Sequence, residues 1–139
     1  MHKAVIILTK ADSIELAEDN VNEFMEQFQN DVYDYYTIGG RWENELKERE
    51  SILPLSECIN KVKEWVRDMQ EVTQEHFNKQ IEFKESAPMQ SSYYAGLYKD
   101  AVYENFCFNS NVYNSSTYES ETIPEDIENY YAVIIDMHN

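Results

Sequence analysis

Arg41 and Trp42 follow two consecutive glycines in the string Tyr35-Tyr36-Thr37-Ile38-Gly39-Gly40-Arg41-Trp42, which holds two of the chain's three glycines. Paired glycines permit positive φ or a close backbone approach. A guanidinium offers a planar fork of donors, and an indole offers a broad stacking face. Gly39, Gly40, Arg41 and Trp42 are therefore a candidate ligand site, in which the indole stacks on a base and the guanidinium grips a phosphate. The plainer role, which the residue types alone favour, is a tight turn whose Trp fills the core and whose Arg pairs with a local acid.

Carboxylates are the second feature with chemical content. The 139 residues include 27 Asp and Glu against 11 Lys and Arg, a net charge of −16. The excess sits in the flanks: residues 11–50 carry net −9, residues 51–99 are nearly neutral, and residues 100–139 hold eight acids and no base. Such a surface disfavours direct binding to DNA, RNA or anionic lipid, where Lys and Arg dominate phosphate contact. Along a helix expected over 14–29, Glu15, Glu18, Asp19 and Glu26 oppose the apolar stripe. Glu15 and Asp19 stand one turn apart, about 6 Å at 1.5 Å per residue. Asp31, Asp34, Glu43, Glu45, Glu48 and Glu50 extend this row if the chain folds back beside it. A row of that pitch is comparable to the phosphates of one nucleic-acid strand. It suits the basic cleft of a nucleic-acid-binding protein, with Tyr33, Tyr35 and Tyr36 as amphipathic anchors. The plainer role is an ordinary solvated face.

Other reactive groups are sparse. Asp136 and His138 share one side of a terminal strand, and with His2 or His76 they form a weak ligand set without a cysteine, so no metal centre or other cofactor is expected. His138, next to last, is expected to fray. His76 has no nucleophile at readable spacing. Cys58 and Cys107 lack an adjacent His or a helix-start setting that would activate a thiol. No catalytic constellation emerges, so a binding protein and not an enzyme is expected.

The Gly-Gly-Arg-Trp string resembles the Tyr/Trp-x-x-Gly-Gly-Arg-Trp signature of small uncharacterised proteins carried by bacteriophages and bacterial mobile elements. Those proteins also open on a short apolar strand and close on one ending in Asp-x-His, here Ile134-Ile135-Asp136-Met137-His138. The likeness covers about ten central residues and the last half-dozen; it departs at Glu43, where a small residue is usual, and in carrying Tyr at both 35 and 36, where one is often Trp. It implies a phage-type protein and no established activity. Taken with the acidic rows, it raises the expectation of an anti-defence (anti-CRISPR-like) inhibitor that imitates nucleic acid on a CRISPR effector or restriction enzyme in the host bacterial cytoplasm. The alternative is a nucleotide or small-molecule sponge centred on Gly-Gly-Arg-Trp.

Several elements must position these groups. Residues 3–9 read as a buried strand. Asp12 or Ser13 caps the helix with apolar positions Ile14, Ala17, Val21, Phe24 and Phe28, which stops near Asn30. Val32–Ile38 reads as a strand broken by the glycines. Pro54 and Ser56 open the longest helix, carried by Ile59, Val62, Trp65 or Val66, Met69, Val72 and Phe77. Residues 87–101 are ambiguous. Val102–Tyr113 reads as a strand, Asn109–Ser116 as a turn cluster, Thr117–Ser120 as a return strand and Tyr130–Met137 as a last strand. The expected fold is a single α+β domain over 1–139, an antiparallel or mixed sheet with two main helices on one face. The short N-terminal apolar run lacks a cleavage site, so no secretory signal is expected. No stretch is long enough to span a membrane. Two cysteines in regular elements suit a reducing compartment.

Overall fold

The computed structural model describes residues 2–29, 33–86 and 111–138, with side chains beyond Met69 in the long helix described only at Glu71 and Glu75. The fold is α+β. Strand β1 (His2–Lys10) leads into helix α1 (Ile14–Glu26), followed by β2 (Tyr35–Ile38), β3 (Ile52–Pro54), helix α2 (Leu55–Ser86), β4 (Val112–Asn114) and β5 (Tyr130–His138). The apolar runs at the two ends of the chain form the centre of the sheet. β1 and β5 pair antiparallel over nine residues, from His2 opposite His138 to Lys10 opposite Tyr130. β4 lies parallel to β1 on the other side. β2 and β3 occupy successive stretches of the same flank of β5, both antiparallel to it.

The sheet is buried on both faces. Val5, Ile7, Val133, Ile135 and Met137 pack with Ala17, Val21, Phe24 and Met25 of α1. Ile6, Leu8, Ala132 and Ile134 pack with Leu55, Val62 and Val66 of α2. The expectation of both helices on one face is thus corrected. Alternate residues of β1 and β5 are equally apolar, so each face needs its own cover; an unbroken run of Val, Ile and Leu marks this arrangement.

Ser13 caps α1 by accepting a hydrogen bond from the Leu16 amide at 3.1 Å. Substituting Ser13→Ala should lower unfolding free energy by about 1 kcal/mol in chemical denaturation, the usual cost of a lost N-cap. The helix ends at Glu26 rather than near Asn30. Ile14 is half exposed, because contact with the sheet begins only at Ala17. α2 is the longest element, as the period from Ile59 predicts; Val62 and Val66 are buried and its backbone breaks at Cys58 (φ −127°). β3 was not expected, and Pro54 ends it rather than opening the helix. β4 takes in the last two residues of the expected strand Val102–Tyr113 and runs into the expected turn cluster, while Ser120 makes a single antiparallel bridge to Tyr113 instead of a full return strand. The expectations for Asp31, Val72, His76, Phe77, the segment 87–101, residues 102–110 and Cys107 lie outside the described residues or side chains. Among the described residues, no helix is long and apolar enough to cross a membrane.

Candidate functional site

The Gly39-Gly40-Arg41-Trp42 string and the terminal Asp136-Met137-His138 strand meet in space. Between β2 and β3 the chain leaves the flank of β5 and returns. The Gly39 amide donates to the Ile134 carbonyl at 2.8 Å, and the Ile134 amide donates to the Ser51 carbonyl at 3.0 Å. The excursion starts with Gly39 (φ 80°) and Gly40 (φ 53°) and turns into a short 3-10 helix, Gly40–Trp42. Gly40 lies against the Asp136 carboxylate: an added Cβ would come within 2.6 Å of Asp136 Cβ and Oδ2. Here glycine answers a positive φ and a close approach at once.

Asp136 organises the junction. Its Oδ2 accepts from the Arg41 amide at 3.1 Å, and its Oδ1 pairs with His2 Nδ1 at 2.7 Å. The β1–β5 register places Ala4 opposite Asp136 and His2 opposite His138, so all four share one face. Burial alone would raise the carboxyl's pKa. The His2 hydrogen bond, the Arg41 amide and the charges of both residues outweigh burial and hold it below the usual carboxylate range. His138 is not frayed. Its ring stacks on Tyr35 at 4.6 Å, lies edge-on to His2 at 4.9 Å, and its Nδ1 stands 3.4 Å from Asp34 Oδ2. Among the described residues, no cluster of three His, Cys, Asp or Glu side chains is arranged to hold a metal ion.

Beside this junction a cleft of about 360 Å³ opens between the sheet end and α2. His2, Lys3, Ala4, Trp42, Trp65, Asp68 and Asn111 line it. Trp42 does not plug the core as expected. It is partly buried against the α2-side cluster and leaves its remaining surface on the cleft wall. Trp65 is partly buried against the same cluster. Burial pushes the Lys3 amine down to about 8, against the upward pull of the Glu121 carboxylate. Buried Glu121 sits at φ 57° and accepts from the Asn111 and Val112 amides at 2.8 and 3.3 Å, which secures the Asn111 wall. With Nδ1 engaged by Asp136, His2 has Nε2 left for a ligand. Its oriented ring can hold or pass a proton there.

Comparison of the chain with protein-family models, with curated proteins and with solved structures finds no match in any of the three.

Of the four expected ligand residues, only Trp42 lines the cleft. Gly39 and Gly40 shape the turn. Arg41 is exposed, with its backbone amide committed to Asp136. The expected acidic row divides. Glu15, Glu18, Asp19 and Glu26 are exposed along α1, and Asp34 is exposed at the start of β2. The excursion, however, packs on the other face of the sheet through Trp42 and Leu46, and Glu45 pairs there with Lys61 at 3.5 Å. Glu43 and Glu45 therefore do not continue the α1 row. Tyr33 and Tyr36 are not surface anchors, because their hydroxyls donate inward to the Met25 carbonyl and Asn22 Oδ1 of α1; Tyr35 alone of the three is exposed. Cys58 is buried, its thiol pushed up to about 11 by burial and by Glu57, which leaves it unreactive at neutral pH.

Lys3, Trp65, Asp68 and Asn111 were not read from the sequence as ligand residues, and His2 was read only as a member of a weak metal-ligand set with Asp136 and His138. Trp65 carried a signal, since it shares a helical turn with Val66 and only one of the two can face the sheet squarely. The others depend on strand pairing.

Proposed function

We propose that this protein binds a small molecule in the cleft between Trp42 and Trp65: a planar heterocycle bearing an anionic group, as in a nucleotide. The observation that carries this reading is a pair of indoles on one cleft with Lys3 and His2 beside them. The ring stacks on indole, the Lys3 ammonium meets the anionic group, and Asp68 and Asn111 offer an acceptor and an amide to the ring's polar edge. The Asp136–His2–Arg41 junction holds the turn that presents Trp42. The role is binding, as in a sponge for a signalling nucleotide, and not catalysis: no hydroxyl or thiol nucleophile among the described residues is hydrogen-bonded to His2.

A panel of mononucleotides and cyclic dinucleotides should include members that raise the melting temperature of the isolated protein and quench its tryptophan fluorescence. Trp65→Ala should weaken that binding by about 1–3 kcal/mol, the range for one base stacked on an aromatic side chain. Affinity should fall as pH rises through about 8, because Lys3 is charged below that value and neutral above it. A panel without any stabilising member would exclude this reading.

A second reading rests on α1, which holds Glu15, Glu18, Asp19 and Glu26 on its exposed side and no Lys or Arg. In it the protein is a phage-encoded inhibitor that docks this face on the basic cleft of a bacterial defence nuclease. Reversing Glu15, Asp19 and Glu26 to Lys should leave the fold intact, since solvent-facing changes cost little. It should weaken partner binding by about tenfold or more, given the coupling of close interfacial charge pairs. Equal binding by the reversed protein at low salt would eliminate the mimicry.

A further inference from the structure

On the opposite face of the sheet, away from the cleft, a second cavity of about 230 Å³ lies between α1 and the turn that follows β4. Its wall includes Thr9, Asn20, Glu23, Ser116 and the rings of Phe24 and Tyr118. Thr9 is fully buried, and its Oγ1 meets no hydrogen-bond partner in the protein. A buried hydroxyl left unsatisfied costs about 1–3 kcal/mol, so such a group calls for an occupant that completes it. The lining is rich in oxygen acceptors. Asn20 donates an amide hydrogen to the Lys10 carbonyl at 3.0 Å, which turns that side of the amide to the backbone and leaves its oxygen as an acceptor. Ser116 Oγ contributes another, and Glu23 brings the one formal charge in the lining. No Lys, Arg or His side chain lines the cavity, so an anion finds no counter-charge there. Phe24 and Tyr118 stand 5.5 Å apart, and Tyr118 holds φ 60° while its hydroxyl reaches Gln27 of α1 at 2.9 Å. A non-glycine residue in the left-handed region is a conformation found at ligand clamps.

We infer that this cavity is a binding site for a small organic cation bearing a primary ammonium group. The three ammonium donors match Thr9 Oγ1, the Glu23 carboxylate and a hydroxyl or amide oxygen of Ser116 or Asn20. The aliphatic stem rests against Phe24 and Tyr118, where a cation also gains from the ring faces. The acidic surface of the protein raises the local concentration of such a ligand.

The test uses 1,4-diaminobutane as probe and 1,4-butanediol, the same length without charge, as its control. In a titration followed by amide NMR, the diamine should shift resonances of Thr9, Glu23 and Ser116, and the diol should not. Glu23→Gln and Thr9→Val should each weaken diamine binding by about tenfold, the loss expected for a hydrogen bond to a charged group. Glu48→Gln, which removes an exposed acid outside the cavity, should leave the affinity as it is. Thr9→Val should also keep or raise the melting temperature, since it removes the unsatisfied hydroxyl, so a loss of binding there is not a loss of fold. The inference is overturned if the diol binds as well as the diamine, or if neither perturbs the cavity. It is equally overturned if Glu48→Gln weakens binding as much as Glu23→Gln, which would make the attraction general.

Discussion

Substituting Gly40→Ala should destabilise the protein by about 2–5 kcal/mol, combining a left-handed backbone penalty with a clash against the buried Asp136 side chain. Two independent costs add. The residue must hold φ 53°, and its new methyl would sit 2.6 Å from the Asp136 side chain. The carboxylate cannot step aside without leaving the His2 imidazole and the Arg41 amide, both bonded to it. Urea denaturation of the parent and variant measures the loss. A double variant with Asp136→Gly separates the two terms, since it removes the obstacle and leaves the backbone strain. If Gly40→Ala were within 0.5 kcal/mol of the parent, the size of an ordinary surface change, the close approach of the turn to Asp136 would be refuted.

Asp136→Ala should cost about 3 kcal/mol, because it leaves the Arg41 amide and the His2 ring nitrogen without the acceptor they share, at about 1–3 kcal/mol for each stranded group. If the proposed nucleotide binding holds, the substitution should also abolish the stabilisation by ligand, because the turn that presents Trp42 loses its anchor. The conservative Asp136→Asn keeps an acceptor for the Arg41 amide and separates hydrogen bonding from charge. Its informative readout is pH. The folded carboxyl gives up its proton more readily than the unfolded one, so Asp136 contributes stability in full above about pH 4, its unfolded value. That contribution fades as pH falls through the lower, folded value. Acid denaturation of Asp136→Asn should therefore be shallower than that of the parent below pH 4. Identical acid limbs would show that the charge of Asp136 does nothing for the fold.

Both predictions concern a place where the chain brings together groups remote in sequence, and this marks the division between what was legible and what was not. The helices were legible. The Ala17, Val21, Phe24 spacing and the Ile59, Val62, Val66 spacing are local periodicities, and Ser13 is a local capping signal, so each is written in consecutive residues. The terminal strands were legible for the same reason, as short β-branched runs. The turn at Gly39-Gly40 announced itself through two residues that relieve the same steric restriction.

Pairing was decided by the tertiary structure alone. Nothing in the residues near Asp136 says that β5 lies against β1 with His2 opposite His138, or that Gly40 arrives on the same face from the other flank. A strand's register is settled by the packing of both of its faces, and a shift of one residue would exchange every side chain between the α1 and α2 clusters. The same holds for the acids. Glu26 and Glu43 looked like members of one row because sequence order ignores which face of a sheet a segment crosses to. Once Trp42 and Leu46 bury their apolar surface against the α2-side cluster, the carboxylates between and beside them must follow. The amino-acid sequence thus determined the two helices, the two terminal strands, the turn and the overall charge of this protein. The cleft between Trp42 and Trp65, the Asp136 junction and the cavity over Thr9 were decided by burial of two apolar faces, which fixes long-range neighbours that no local pattern encodes.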